Sequence, residues 1–123
     1  MNEFLPLSLS LKKNSIVCHI KEGYLLWLTI VPHIPKGARY TICARIEQKF
    51  LDLLELSSIA YFTPKEQQRE KVSACILALD TLKFFITVAW EAKLMSHKHY
   101  ETIALKLTEV GRMLGGWKKS RPA

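Results

Sequence analysis

Val72-Ser-Ala-Cys75-Ile-Leu-Ala-Leu79-Asp-Thr-Leu82-Lys-Phe-Phe-Ile86-Thr-Val-Ala89 is the stretch whose reading decides the fold. Val72, Cys75, Leu79, Leu82, Ile86 and Ala89 are spaced alternately by three and four residues. That is the period of an α-helix burying one stripe, and the alternation suits the core of a helical bundle. A second apolar stripe runs through Leu77, Thr81, Phe84 and Val88. A helix with two apolar faces touches a second partner, either another helix of its own bundle or another subunit.

Working outward, the same period recurs three more times. Thr63-Pro64 reads as the start of this helix, with Thr63 as cap, Pro64 at the first helical position and Glu66 as capping-box partner. The helix is expected over Pro64 to Lys93. Before it, Ile42, Ile46, Phe50, Leu53, Ser57 and Ala60 mark a helix over Arg39 to Phe62, widened by Leu51 and Leu54. Before that, Ile16, Ile20, Tyr24, Trp27, Leu28 and Val31 mark a first helix capped by Ser15 and ended by Pro32 and Pro35. After it, Ser96 caps a fourth helix carrying Tyr100, Ile103, Leu107, Val110, Leu114 and Trp117. Gly111 fits close packing, and Gly115 or Gly116 fits a C-cap. Four amphipathic helices on short connections predict an all-α, up-down-up-down antiparallel four-helix bundle over residues 15–117. Residues 1–14 read as an N-terminal tail in which Leu5, Leu7, Leu9 and Leu11 alternate at a strand period. Residues 118–123 read as a basic C-terminal tail.

Length and composition bound the function. The 123 residues make one domain, and 49% apolar with 24% charged residues is the balance of a globular chain. No unbroken apolar run reaches the roughly 18 residues of a membrane span, the nearest being Gly23 to Pro32. The opening Asn2 and Glu3 do not resemble a signal peptide. Three cysteines, Cys18, Cys43 and Cys75, form neither a disulfide framework nor a zinc pattern, so a cytoplasmic location is expected. The formal net charge is +7, from 18 Lys and Arg against 11 Asp and Glu, which implies attraction to polyanions.

Catalytic patterns are missing from the sequence. His97 and His99 are two apart and point to opposite sides of a helix, a poor metal pair. There is no Glu-x-x-His motif, phosphate-binding glycine loop or nucleophile motif. Asp80 and Glu47 sit in apolar helical stretches. They read as bundle-edge residues pairing with Lys83 or Arg45, or as a polar link fixing helix register. An enzyme is not expected, and neither is a metal or cofactor. The basic residues are more telling: Arg39, Arg45 and Lys49 on the second helix, and Lys98, Lys106, Arg112, Lys118, Lys119 and Arg121 on the fourth helix and tail. Such residues neutralise phosphates without sequence preference. Glu101 and Glu109 interrupt the second set and are expected to pair with Lys98 and Arg112.

Glu109-Val-Gly-Arg-Met-Leu-Gly-Gly-Trp117, within the longer run from Tyr100, is similar to the last helix of the accessory variability determinant (Avd) proteins of diversity-generating retroelements. Pro35 to Arg45 resembles that family's inter-helix turn and the start of its second helix. Asp80-Thr-Leu-Lys-Phe-Phe resembles part of its third. The likeness covers residues 20 to 118. It implies a four-helix bundle that assembles as a basic, barrel-like homopentameric ring. It also implies binding to the retroelement reverse transcriptase and to template RNA or cDNA, supporting mutagenic reverse transcription without catalysing it. The residues expected to meet nucleic acid or partner are Arg39, Arg45, Lys49, Lys106 and Arg112. Related bundles are encoded within intervening sequences of 23S ribosomal RNA genes. The alternative reading is a structural interaction bundle of that type, for which a reverse-transcriptase gene alongside would not be expected.

Overall fold

A computed structural model describes residues 15–123. The expected N-terminal tail lies outside the described residues. Among those described there are four α-helices and no strand: α1 (Ile16–Ile30), α2 (Ile42–Tyr61), α3 (Gln68–Glu91) and α4 (His97–Lys119). Each helix packs on its sequence neighbours, and α1 closes the bundle against α4. The directions alternate. Gln68 at the start of α3 bonds Ala60 near the end of α2, and Trp90 at the end of α3 stacks on Tyr100 at the start of α4. The His33 and His99 rings lie 4.8 Å apart at one end, and Ser15 shares a cavity with Trp117 at the other, so α1 and α4 are also antiparallel.

Two helix starts follow the sequence. Ser15 Oγ accepts from the Cys18 amide at 3.3 Å, and Ser96 Oγ accepts from the His99 amide at 3.1 Å. Each satisfies a backbone donor that the first turn leaves unpaired. Ser96→Ala is expected to cost about 1 kcal/mol, read as a lower urea midpoint at unchanged slope; an unchanged midpoint would deny the cap any role.

Several expected boundaries move. The segment Arg39–Thr41 is not helical; a 3-10 turn at Lys36–Ala38 precedes α2, which starts at Ile42. The capping box at Thr63 does not form, because Thr63 Oγ1 donates back to the Ile59 carbonyl at 2.6 Å. The chain then makes a 3-10 turn at Lys65–Gln67, and α3 begins at Gln68. Helix α3 ends at Glu91 rather than Lys93, because Lys93 takes a left-handed φ of 63°. Neither Gly115 nor Gly116 is a C-cap. Helix α4 runs through both to Lys119, into the expected basic tail, and Ser120 ends it by donating its amide to the Gly116 carbonyl. Each of these two glycines therefore carries the roughly 1 kcal/mol helix penalty relative to alanine without a capping role. Gly111 does serve close packing, since a Cβ there would sit 3.4 Å from Leu79 Cδ2.

The core matches the α3 stripe in full: Val72, Cys75, Leu79, Leu82, Ile86 and Ala89 are all buried. It also takes Ile46, Phe50, Leu53, Ser57 and Ala60 from α2, and Ile103, Leu107, Val110 and Leu114 from α4. On α1 the expected stripe is partly out of phase. Leu28 is exposed, whereas Val17, Gly23 and Ile30 are buried. The second stripe on α3 is only partly covered in the described chain: Thr81 and Val88 are half-buried, but Leu77 is 69% and Phe84 64% exposed.

Helix α3 is more apolar on average than any unbroken run in it suggests. Lys65–Glu91 is long and apolar enough to cross a membrane by length and composition, with a mean hydropathy of 1.8 over its most apolar window. Asp80 and Lys83 break the run without lowering the average enough. Only 33% of that window is buried. In this structure its buried residues are core residues of the bundle, packed against α2 and α4.

Candidate functional site

The five cations expected to meet nucleic acid or partner lie at separate places on the single bundle. Arg39 follows the Lys36–Ala38 turn, and its guanidinium donates to the Ile34 and Pro32 carbonyls, both at 3.3 Å. Arg45 lies over the Phe85 ring at 5.9 Å. Lys49 sits in the α2–α3 groove with its ammonium 3.6 Å from Asp52. Arg112 is exposed on α4, beside Asp80 and Lys83.

Lys106 is the most engaged of the five. Its ammonium donates to Glu22 Oε1 at 2.8 Å and Glu109 Oε1 at 3.2 Å, and lies 3.3 Å from His19 Nδ1. His19 Nδ1 is 3.0 Å from Glu109 Oε1. One α1 residue pair and one α4 residue pair thus form a cluster across the helix seam. Gly23 lines the same seam, where a Cβ would sit 3.6 Å from Lys106 Cγ, an ordinary contact. The expected Glu109–Arg112 pair is replaced by this cluster, because Lys106 lies one turn back on the seam side of α4.

The cluster has a definite pH signature. Its hydrogen bond with Lys106 holds the Glu22 carboxyl below its ordinary value, and Lys106 does the same to Glu109. Burial works against the Lys106 ammonium, but its bonds to Glu22 and Glu109 outweigh burial and raise it above its ordinary value. The carboxylates therefore contribute stability above about pH 4.5, lost as pH falls through their lowered folded values. The ammonium contributes below about pH 10.5, lost as pH rises through its raised folded value. Lys106→Met is expected to lower the pH dependence of the urea midpoint below pH 4.5 while keeping the packed stem. An acid limb identical to the parent's would show that the cluster is energetically silent. The side chains of Glu22 and Glu109 are 55% and 43% exposed, so solvent screening keeps the effect small.

Asp80 and Glu47 make no ion pair with Lys83 or Arg45 among the described residues; Asp80 is exposed and Glu47 half-buried. No group of three or more His, Cys, Asp or Glu side chains there is arranged to hold a metal ion. Burial pushes the Cys75 thiol up to about 11 and raises Cys43 as well, so neither thiol is poised as a nucleophile.

The charge gathers instead where α3 begins and α4 ends. Lys65, Arg69, Lys71, Lys118, Lys119 and Arg121 lie there against Glu66 and Glu70. A hub fixes this end. Gln68 is 6% exposed; its Nε2 donates to the Ala60 carbonyl at 2.9 Å, and its Oε1 accepts from Trp117 Nε1 at 3.3 Å and from Arg121 Nε. Arg69 donates to the Arg121 carbonyl at 3.1 Å and to the Lys118 carbonyl at 3.4 Å. The last turn of α4 is thereby tied to the first of α3, and the lysines beside it stand on a braced frame. Gln68 and Arg121 are 53 residues apart, and no local pattern announces their meeting.

A family model described as bAvd-like matches residues 12–121. Comparison with curated proteins and with solved structures gave no match.

Proposed function

The chain belongs to the bAvd-like family, and from that premise we propose that it is a non-catalytic accessory protein of a diversity-generating retroelement, acting in the cytoplasm. It binds the reverse transcriptase together with template RNA or cDNA and supports mutagenic reverse transcription. Five copies close into a ring through the Leu77–Phe84 stripe of α3. An exposed apolar stripe of this kind marks a protein contact rather than a soluble face.

The observation that carries the polyanion part of the reading is the braced basic end. Lys71, Lys118 and Lys119 stand beside this end, where Gln68 holds Arg121 and Arg69 holds the Lys118 and Arg121 carbonyls. Arg112 extends the surface up α4, and Arg39 and Arg45 offer cations at the opposite end. Lys49 and Lys106 contribute less, because carboxylates already neutralise them. Replacing Lys71, Lys118 and Lys119 together with glutamine is expected to weaken single-stranded RNA binding. It should also lower the slope of log affinity against log salt by about 2, since each phosphate contact contributes roughly 0.7. Fluorescence anisotropy at several salt concentrations measures both. An unchanged slope would remove this end from the binding surface.

A further inference from the structure

Two histidines from distant parts of the chain meet at the end of the bundle opposite the Gln68 hub. His33 closes a 3-10 turn, Val31–His33, that follows α1, and His99 lies in the first turn of α4. Their ring centroids are 4.8 Å apart, with the planes tilted by 46°. Both positions are braced. Arg39 holds the carbonyls on either side of His33, those of Pro32 and Ile34, and the Ile34 amide donates to the Val31 carbonyl at 3.0 Å. The Ile34 side chain is itself buried. The His99 amide is held by the Ser96 cap. Among the described residues, neither imidazole takes part in a hydrogen bond or ion pair, so the ring nitrogens are available. His33 is exposed and His99 half-buried, so the pair opens to solvent.

We propose that His33 and His99 form a two-histidine site for a borderline divalent transition cation of the zinc type, with water completing the coordination. Neutral imidazole is the ligand that suits zinc, copper and nickel. A zinc–nitrogen bond of about 2.0–2.1 Å puts the metal about 3.2 Å from an imidazole centroid, so two rings sharing one ion at a right or tetrahedral angle stand about 4.5–5.2 Å apart. The observed spacing of 4.8 Å falls within that range. The bracing matters because ligands already held at the right spacing give up little freedom on binding. With two protein ligands the site binds more weakly than a closed four-ligand site and keeps open positions. A bound ion ties the turn after α1 to the start of α4. His97 takes no part: its ring lies against Trp90, with centroids 5.9 Å apart. The site does not depend on the retroelement role.

The test is titration of the full-length, chelator-treated chain with zinc chloride at neutral pH, followed by calorimetry and by nitrogen NMR of the imidazoles. The expected result is one saturable site per chain, with the ring nitrogens of His33 and His99 shifted and those of His19 and His97 in place. His33→Asn and His99→Asn should each weaken binding at least roughly tenfold, the loss that removing even a ligand's supporting hydrogen bond causes. His97→Asn should bind zinc as the parent does. Circular dichroism checks that the variants keep the parent's helical content, and the NMR of the parent chain needs no variant at all. Affinity unchanged in His33→Asn or His99→Asn overturns the proposal. So do shifts at His19 or His97 in place of His33 and His99, or no saturable binding at millimolar zinc.

Discussion

Phe50→Ala is expected to destabilise the fold by about 3–5 kcal/mol, enough to leave much of the chain unfolded at 37 °C. Phe50 has no exposed surface and sits where α1, α2 and α4 converge. Its ring centroid lies 6.1 Å from that of Trp27, near-parallel at 28°, and 5.8 Å from that of Tyr24. The backbone of Gly23 also faces it, since a Cβ built there would be 3.6 Å from Phe50 Cε1. Truncation therefore removes the transfer energy of an aromatic ring and leaves a void whose walls belong to rigid helices. Phe50→Leu keeps most of the volume and should lose far less. Urea denaturation monitored by circular dichroism measures both. Equal losses for the two variants would show that shape at this junction matters less than the structure indicates.

Leu77→Asp combined with Phe84→Asp is expected to convert the proposed ring into single chains of 14.1 kDa, read by light scattering at micromolar protein. Both side chains lie mostly in solvent in the isolated bundle, at 69% and 64% exposure, so charging them leaves the intrachain core intact. Helical content should be unchanged while mass falls about fivefold. At a ring interface, each carboxylate would be desolvated without a partner, a cost that apolar contact does not offset. Light scattering that finds the parent chain already at 14.1 kDa would contradict the ring.

How far the sequence revealed this fold differs from helix to helix, for physical reasons. Helix α3 alternates apolar and polar residues clearly enough that all six expected core positions are buried. Helix α1 carries Leu25, Leu26, Trp27, Leu28, Ile30 and Val31 almost in sequence, so no polar face sets the phase. Its buried stripe shifted to include Ile30 and exclude Leu28. The end of α3 was hidden because Lys93, not glycine, takes the left-handed conformation. At the end of α4 two glycines resemble a stop, but Ser120 supplies it.

The candidate surface was harder to read, because cations are visible in sequence and their partners are not. Lys106 looks like a free cation until α1 brings Glu22 and His19 beside it, 84 and 87 residues away. Gln68 looks like an exposed helix-start residue until Trp117 and Arg121 close over it. Pairings set by helix docking occupy Lys49 and Lys106 with carboxylates, while the cations around the Gln68 hub lie together at one end of the bundle.

The most direct test of the accessory role is capture of the tagged full-length chain from its native host, followed by mass spectrometry and sequencing of bound nucleic acid. Recovery of a reverse transcriptase together with one discrete RNA is the expected result. Recovery of bulk ribosomal RNA alone, or of neither protein nor RNA, would contradict the retroelement role.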